Sequence, residues 1–173
     1  MEPKLHFNFC PRCGTRLTEP PAGKSLLCSA CDLLLFFNPA VSVGAFVFRP
    51  DGAMLWLRRA KDPRRGKLGL PGGFIDFNET AEEALQRETR EEVGITVRDA
   101  RFRLSLPNRY EFRGVTYPVL DLFFTAQAID PERAVPLDEV AELRWLQPEE
   151  PALDDIAFVS VREALIRYRG RRV

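Results

Sequence analysis

The stretch that decides the fold runs from Gly73 to Ile95 and reads GFIDFNETAEEALQRETREEVGI. Thr80–Glu83 is a Thr-x-x-Glu capping box, which predicts the start of a helix because its hydroxyl and carboxylate can each satisfy a free backbone N–H. Gly94 predicts the end of that helix, where a left-handed residue is expected. One broad face follows the helical period, and its members are Ala81, Ala84, Leu85, Thr89 and Val93.

Acidic side chains interrupt this apolar face. Glu88 and Glu92, four residues apart, project from its middle, and Glu91 lies at its edge. Carboxylates on the inward side of a helix repel each other and resist desolvation unless a cation is present. Hard divalent ions such as Mg²⁺ take oxygen ligands. The pattern therefore indicates a helix that holds one or more such ions, and the alternative is a solvated acidic face.

These residues resemble the signature of a known family. The pattern G-x5-E-x7-R-E-x-x-E-E-x-G-hydrophobic in Gly73–Ile95 is similar to that of the Nudix hydrolases. It departs only at Thr89, where the family usually has an aliphatic residue, so Thr89 is expected to pack into the core. The resemblance implies an α/β/α sandwich with a mixed sheet. It also implies hydrolysis, with Mg²⁺ or Mn²⁺, of a nucleoside diphosphate linked to another group.

The same resemblance implies a role for each matching position. Glu88, Glu91 and Glu92 would be the metal ligands. Glu79 and Arg87 would form the ion pair that braces the loop–helix–loop. The first glycine of the motif, at position 73, would supply the tight turn that begins it.

The general base varies within the family and stays open here. Glu91 or Glu92 could serve, as could an acid from a later loop. Related enzymes often place such an acid a few residues before an aromatic strand, where it completes the metal site. Glu139 lies six residues before Trp145 and Glu142 only three, so Glu139 is preferred. The alternative is a surface acid in an exposed loop.

All cysteines of the chain lie in two CxxC pairs. Cys10 and Cys13 form one pair, Cys28 and Cys31 the other, and fourteen residues separate them. Each pair lies on a short turn that brings two thiolates within reach of one ion, and four sulfurs with no open position describe a structural zinc site. A ribbon of this size cannot bury enough surface alone, so the metal is expected to provide much of its folding energy.

Two disulfides and a dithiol redox site are the alternatives to zinc. Met1–Phe9 lacks the apolar core and the cleavage site of a signal peptide. We therefore expect a reducing, cytoplasmic compartment, in which paired CxxC spacing favours a metal.

A four-cysteine ribbon before this motif resembles the NADH pyrophosphatase branch of the family, and the resemblance covers about Phe9 to Gln147. NADH-cleaving members carry Ser-Gln-Pro-Trp soon after the motif, whereas residues 105–108 here read Ser-Leu-Pro-Asn. Candidate substrate contacts are Asn108, Arg109 and Tyr110, with arginine suited to phosphate and tyrosine to stacking on a base. The alternative is a polar turn after a strand.

The rest of the chain predicts a zinc ribbon at 1–37 and a hydrolase domain at 38–173. A second helix is predicted at about 155–169. Strands are predicted at Val41–Arg49, Met54–Arg59, Val97–Leu106, Tyr117–Ala128 and Glu142–Leu146. Mixed strands with a helix on either side indicate an α/β/α sandwich.

Charge and hydropathy bear on the partners. Lys+Arg and Asp+Glu number 25 each, so no global field attracts nucleic acid or an anionic membrane. Between the two cysteine pairs only Arg16 and Lys24 are basic, so nucleic-acid binding is not expected. No apolar run approaches the ~20 residues that span a membrane. The expected partner is a small nucleotide substrate, and the ribbon-bearing relatives imply a homodimer.

Three functions fit these patterns. The first is metal-dependent hydrolysis of the pyrophosphate bond in an ADP-ribose-like compound, another dinucleotide or a nucleotide sugar. The second is cleavage of NADH or of NAD-type caps of RNA, which the ribbon supports and Leu106 and Asn108 oppose. The third is a non-catalytic nucleotide-sensing module, which usually has a degenerate motif, whereas this motif retains every acid.

Overall fold

The structure is a computed structural model that describes residues 2–18, 21 and 23–170. Contacts within the chain divide it into two units. The smaller unit comprises Met1–Ala40 with Arg109–Val119, and the larger unit comprises Val41–Asn108 with Leu120–Val173. The segment 109–119 is the tip of a long hairpin, so this tip groups with the predicted ribbon rather than with the strands that carry it.

The smaller unit contains a two-stranded antiparallel sheet, in which β1 (Ser25–Leu27) pairs with β2 (Leu34–Phe36). Its core of buried residues consists of Leu26, Cys10 and Cys28. So small an apolar core stabilises little by itself, which agrees with a unit that needs a metal or another staple.

The larger unit is built on a six-stranded sheet with the strand order β5-β4-β3-β7-β6, and β8 pairs with β4. Its elements are β3 (Ala40–Phe48), β4 (Met54–Arg59), β5 (Leu68–Gly69), α1 (Ala81–Val93), β6 (Thr96–Phe112), β7 (Val115–Ile129), β8 (Val140–Leu146) and α2 (Val159–Gly170). β8 runs antiparallel to β4, while an isolated bridge between Leu68 and Ile156 is parallel, so the pairing is mixed.

Alternation along β3 sends its side chains into two separate cores, because successive residues of a strand point to opposite faces. Ala45 and Val47 join the core that contains Leu85 of α1. Phe46 joins the core that contains Leu165 of α2. A helix therefore covers each face of the sheet, which confirms the predicted α/β/α sandwich.

Helix α1 begins and ends where the sequence predicts. The Glu83 N–H donates to Thr80 Oγ1 at 3.2 Å and the Thr80 N–H donates to the Glu83 carboxylate at 2.8 Å, which completes the capping box. Gly94 closes the helix with φ +70°. Thr89 is fully buried, and its hydroxyl donates to the Leu85 carbonyl at 2.7 Å, so the polar group that departs from the family pattern is satisfied within the core.

The hairpin of β6 and β7 is longer than predicted. β6 continues to Phe112 and β7 starts at Val115, with a two-residue turn at Arg113 and Gly114. Both turn residues have positive φ, 47° and 80°, as a tight two-residue hairpin requires. The candidate contacts at 108–110 therefore lie within β6, and their alternative assignment to a polar turn is wrong. The sequence did not predict this longer strand because of Pro107, since proline within an apolar run normally argues against a strand.

Within the part of the chain that the structure describes, no helix combines the length and the apolar character that crossing a membrane requires.

The backbone before α1 depends on Gly72. Its φ is +143°, and a Cβ built there would lie 2.1 Å from the Val43 carbonyl oxygen and 2.8 Å from Gly44 Cα. These neighbours are backbone atoms of β3, which cannot move independently of the sheet. No residue with a side chain fits this position without displacing a central strand.

Gly72→Ala is expected to lower the free energy of unfolding by about 3 kcal/mol or more, because it adds a backbone clash to an unfavourable φ. Urea denaturation measures the change. Gly170→Ala is the control, since a Cβ at Gly170 meets nothing within 4 Å. Equal midpoints for Gly72→Ala and wild type would show that the turn is not constrained by β3.

Candidate active site

The turn before α1 lies along β3 and brings backbone close to two glutamates of the helix. The Val43 N–H donates to the Gly73 carbonyl at 2.8 Å. The Gly72 N–H donates to Glu92 Oε2 at 2.8 Å. A Cβ at Gly73 would lie 2.3 Å from Glu88 Oε1, so this glycine leaves room for the Glu88 carboxylate. The sequence assigned the tight turn to Gly73, but the positive φ belongs to Gly72.

Arg87 connects the acids of the motif. Its Nε and Nη2 donate to the two carboxylate oxygens of Glu79 at 2.9 and 3.0 Å. Its Nη1 donates to Glu88 at 2.8 Å and to Glu91 at 3.1 Å, and its Nη2 also reaches the Phe74 carbonyl at 3.0 Å. These bonds raise the pKa of Arg87, and the Arg87 bonds in turn lower the pKa of Glu79. Arg87 therefore fixes the loop to the helix and orients two predicted metal ligands.

The inward carboxyls are held in a poorly solvated place. Desolvation raises the pKa of Glu92 to about 8, although the Gly72 N–H lowers it. Desolvation also raises the pKa of Glu88, against the lowering effect of Arg87. An additional cation beside them would favour the ionised form of both carboxyls. Carboxylate oxygens are the donor type that Mg²⁺ and Mn²⁺ prefer, so the residues present fit the predicted ion.

The loop before β8 is docked on the last turn of α1 through backbone hydrogen bonds. These run from Val135 N–H to Val93 O at 3.1 Å, from Leu137 N–H to Glu92 O at 2.9 Å and from Asp138 N–H to Glu91 O at 3.3 Å. They satisfy carbonyls that a helix end leaves without partners. Glu139 follows directly, and its charge contributes to the raised pKa of Glu92.

Glu139 and Glu142 have different partners in the structure. Glu139 has a left-handed backbone, φ 56°, and its Oε1 accepts a hydrogen bond from Lys61 Nζ at 3.1 Å. Glu142 instead lies in β8, where its carboxylate meets Arg58 Nε at 3.7 Å and Arg144 Nε at 3.1 Å. The Lys61–Glu139 pair spans 78 positions, and no local sequence signal could have revealed it.

The acids do not form a compact ligand group in this structure. Among the described residues, only the four cysteines place three or more ligand atoms within 4.8 Å of one another. Arg87 forms ion pairs with Glu88 and Glu91, and Lys61 forms one with Glu139. The protein's own cations thus lie on the carboxylates that a divalent ion would take.

The cysteines are close enough to share one ion. The Sγ atoms of Cys10 and Cys31 are 3.7 Å apart, as are those of Cys13 and Cys28. A tetrahedral site with Zn–S bonds of about 2.3 Å separates its sulfurs by about 3.8 Å. A disulfide would need about 2.05 Å, and all four cysteines are free. The donor set fits zinc.

Both cysteine turns have the same backbone geometry. The residue that follows the second cysteine of each pair is Gly14 or Asp32, and its N–H donates to the carbonyl of the first cysteine, Cys10 or Cys28, at 3.0 and 2.9 Å. Both residues have positive φ, 72° and 55°. The sequence identified Gly14, whereas Asp32 was missed because it carries the same turn without a glycine.

The thiols differ in pKa because their surroundings differ. The Thr15 hydroxyl lowers the pKa of Cys13 to about 6. The Leu33 N–H lowers that of Cys31, but burial and the other three thiols outweigh it and raise the pKa to about 12. Four thiolates cannot share this space without a cation, which again fits a metal.

The three candidate substrate contacts are divided between the units. Asn108 belongs to the larger unit, and Arg109 and Tyr110 belong to the smaller one. The Tyr110 ring stacks on Phe112 with centroids 6.5 Å apart. Their role as substrate contacts stays a prediction.

Glu79→Gln is expected to lower the free energy of unfolding at pH 7, because it breaks a two-bond ion pair with Arg87. The folded-state pKa of Glu79 is lowered, so its stabilisation is present above the unfolded pKa, about 4.3, and is lost as the pH falls through the folded value. Urea denaturation at pH 7, 5 and 3.5 should show the difference shrinking. The control is Glu82→Gln, an exposed position on the same helix. A difference independent of pH would contradict this role.

Comparison with known proteins agrees with this geometry. Residues 38–166 match the family model of the NUDIX domain. A NUDIX hydrolase from Nitrosomonas europaea, known from a crystal structure, superposes with a TM-score of 0.72 at 30% identity, over 95% of this chain and 92% of that one.

Two curated relatives carry more specific names. The NAD-capped RNA hydrolase NudC of Pseudomonas fluorescens (strain Pf0-1) is 30% identical over 168 residues, which cover 94% of this chain and 57% of the relative. The ADP-ribose pyrophosphatase of Methanocaldococcus jannaschii is 41% identical over 61 residues, covering 35% of this chain and 36% of that protein. The chain thus spans about half the length of the NudC relatives it matches. Because the family match covers most of the chain and includes the acid-bearing helix, the chain belongs to the NUDIX domain family.

Proposed function

We propose that the protein hydrolyses the pyrophosphate bond of a nucleoside diphosphate linked to another group, such as an ADP-ribose-like compound, a dinucleotide or a nucleotide sugar. The observation that carries this proposal is the pair of inward carboxyls, Glu88 and Glu92, held against the backbone of Gly72 and Gly73 with raised pKa values. Membership of the NUDIX domain family supports it.

The ligands of the catalytic Mg²⁺ or Mn²⁺ would be Glu88, Glu91, Glu92 and Glu139. A divalent cation bound there would offset the charge of the pyrophosphate and polarise its phosphoryl oxygens. The chain itself supplies the positioning, since the Gly72 N–H fixes one oxygen of Glu92. The docked loop holds Glu139 near the end of α1. The candidates for the general base are Glu91, Glu92 and Glu139.

The release of Glu88 and Glu91 from Arg87 would accompany ion binding. Arg87 would keep its two bonds to Glu79 if the other two were lost, so the loop would stay braced when Glu88 and Glu91 hold the ion. Glu79 and Arg87 are thus proposed as positioning residues. Lys61, freed from Glu139 by the same exchange, would stand beside the anionic substrate.

We also propose a division into a ribbon at 1–37 that holds a structural Zn²⁺ through Cys10, Cys13, Cys28 and Cys31, and a catalytic domain at 38–173. The sulfur distances and the two matching turns support the zinc site. A homodimer and a cytoplasmic location remain predictions from the sequence.

NAD-capped RNA or NADH is a second candidate substrate class. A relative named as an NAD-capped RNA hydrolase aligns with 94% of this chain. Leu106 and Asn108 stand where NADH-cleaving members have Gln and Trp, which argues against NADH itself. The relative's name bears against our expectation that nucleic acid is not a partner, so capped RNA belongs among the substrates to test. A sensor without activity is disfavoured because every acid of the motif is retained.

Glu92→Gln is expected to reduce turnover by at least about 100-fold without loss of the fold, because it removes a ligand charge from the desolvated site. Product analysis with Mg²⁺ or Mn²⁺ should cover ADP-ribose, NADH, NAD⁺, diadenosine polyphosphates, nucleotide sugars, nucleoside triphosphates and NAD-capped RNA. Glu82→Gln is the matched control on the exposed face of α1. Wild-type rates in Glu92→Gln would refute the ligand assignment. Nucleotide binding without any turnover would favour the sensor.

Cys13→Ser is expected to lower the melting temperature of the ribbon and its zinc content far more than the specific activity of the folded enzyme. The reason is that four sulfurs close the site and leave no position for substrate. Zinc release by a chromogenic chelator and calorimetry measure the two effects. Ser29→Ala, a substitution inside the second pair that removes no ligand, is the control. Equal melting temperatures for Cys13→Ser and wild type would contradict a structural zinc.

A further inference from the structure

We propose that the larger unit carries a second ligand site, an arginine-lined cleft that binds the phosphate group of a mononucleotide away from the motif turn. The cleft has a volume of about 600 Å³. That size is within the range of small-molecule sites in proteins. Its lining includes Arg49, Arg101, Arg103, Thr125, Gln127 and Tyr168.

Two of the arginines present guanidinium groups that have no partner among the described residues. Arg101 and Arg103 are two residues apart on β6, so both side chains project from the same face of the strand. Both are exposed, and neither forms an ion pair or a side-chain hydrogen bond with another described residue. A guanidinium offers a planar fork of donors that matches a phosphate oxygen pair, so two adjacent forks suit a phosphate dianion.

The third arginine is held in place. Arg49 donates to the Asp51 carboxylate at 2.6 and 3.2 Å, and its guanidinium lies 5.1 Å from the centroid of the Trp145 ring. The acidic residue in the lining, Asp99, lies 3.9 Å from Arg98. Asp51 and Asp99 thus each have a cation beside them, and the positive charge of Arg101 and Arg103 is left for a ligand.

An apolar wall completes the cleft. Phe48 and Tyr168 line it, and their ring centroids are 5.6 Å apart. Aromatic edges and faces beside a phosphate site suit a nucleobase. The cleft volume of about 600 Å³ fits a mononucleotide better than a nucleic-acid strand. A strand needs an extended basic track, and the chain as a whole has a net charge of zero.

The position of the cleft separates it from the proposed reaction. Val43 of β3 pairs with the motif turn, whereas Phe48 and Arg49 at the other end of the same strand line the cleft. At about 3.3 Å per residue, six residues of strand put roughly 20 Å between the two places. A nucleotide in the cleft would therefore act as an effector or as a retained product.

The test is to follow the arginine Nε–Hε signals of the ¹⁵N-labelled, zinc-loaded full chain while titrating AMP and inorganic pyrophosphate without added Mg²⁺ or Mn²⁺. We expect shifts at Arg101 and Arg103, and binding weakened at least about tenfold in Arg101→Gln/Arg103→Gln. Arg101→Lys/Arg103→Lys keeps the charge but loses the fork, so an intermediate affinity is expected. The charge-matched control Arg90→Gln/Arg133→Gln changes two exposed arginines that do not line the cleft and should bind as wild type.

Each outcome decides the matter. Tighter binding of AMP than of pyrophosphate identifies a nucleotide as the ligand, and equal affinities identify free phosphates, both through the same arginines. Unmoved arginine signals, or equal affinity in Arg101→Gln/Arg103→Gln and wild type, would show that these charges only protect the edge strand of the sheet. If a single-stranded RNA bound more tightly and displaced AMP, the proposal would be overturned and the cleft would be part of a nucleic-acid surface. No turnover is measured, so failure here leaves the proposed hydrolysis untouched.

Discussion

The structure around the motif depends on one electrostatic constraint, which is that two carboxyls of α1 point inward and lie against backbone. Glu92 receives the Gly72 N–H, and Glu88 occupies the space beside Gly73. Only glycine permits this approach, and at Gly72 only glycine fits beside β3. Poor solvation raises both pKa values, although the Gly72 N–H lowers that of Glu92, so the burial of these carboxyls favours a cation beside them.

The arrangement of cations follows from that demand. Arg87 bonds to three glutamates and keeps its strongest geometry, two parallel bonds, for Glu79, which is not a proposed ligand. Lys61 pairs with Glu139, which follows the loop docked on α1. If these cations gave way to a divalent ion, as we propose, the carboxylates would have a positive charge beside them in both states.

The four cysteines also bring together groups that would repel each other when ionised, here thiolates rather than carboxylates. Its four thiols lie within 4.8 Å in a unit whose buried core is very small. The Thr15 hydroxyl lowers the pKa of Cys13 to about 6. The Leu33 N–H lowers that of Cys31, but burial and the neighbouring thiols outweigh it and raise the pKa to about 12. Both places hold acidic groups that oppose each other's ionisation, carboxyls in one and thiols in the other, and these are the places where we propose that metals bind.

What the sequence determined by itself is local. The capping box, the closing Gly94, the inward glutamates and the paired CxxC turns all depend on residues within one or two helical turns of each other, so spacing alone revealed them. Tertiary structure decided what depends on distant residues. The sequence assigned the tight turn to Gly73, whereas in the structure Gly72 is the constrained glycine, because a Cβ there would clash with the backbone of β3. In the structure, Lys61 pairs with Glu139, 78 positions away, and β6 continues past Pro107. Neither could be predicted locally, because strand pairing and loop docking depend on residues that are remote in the chain.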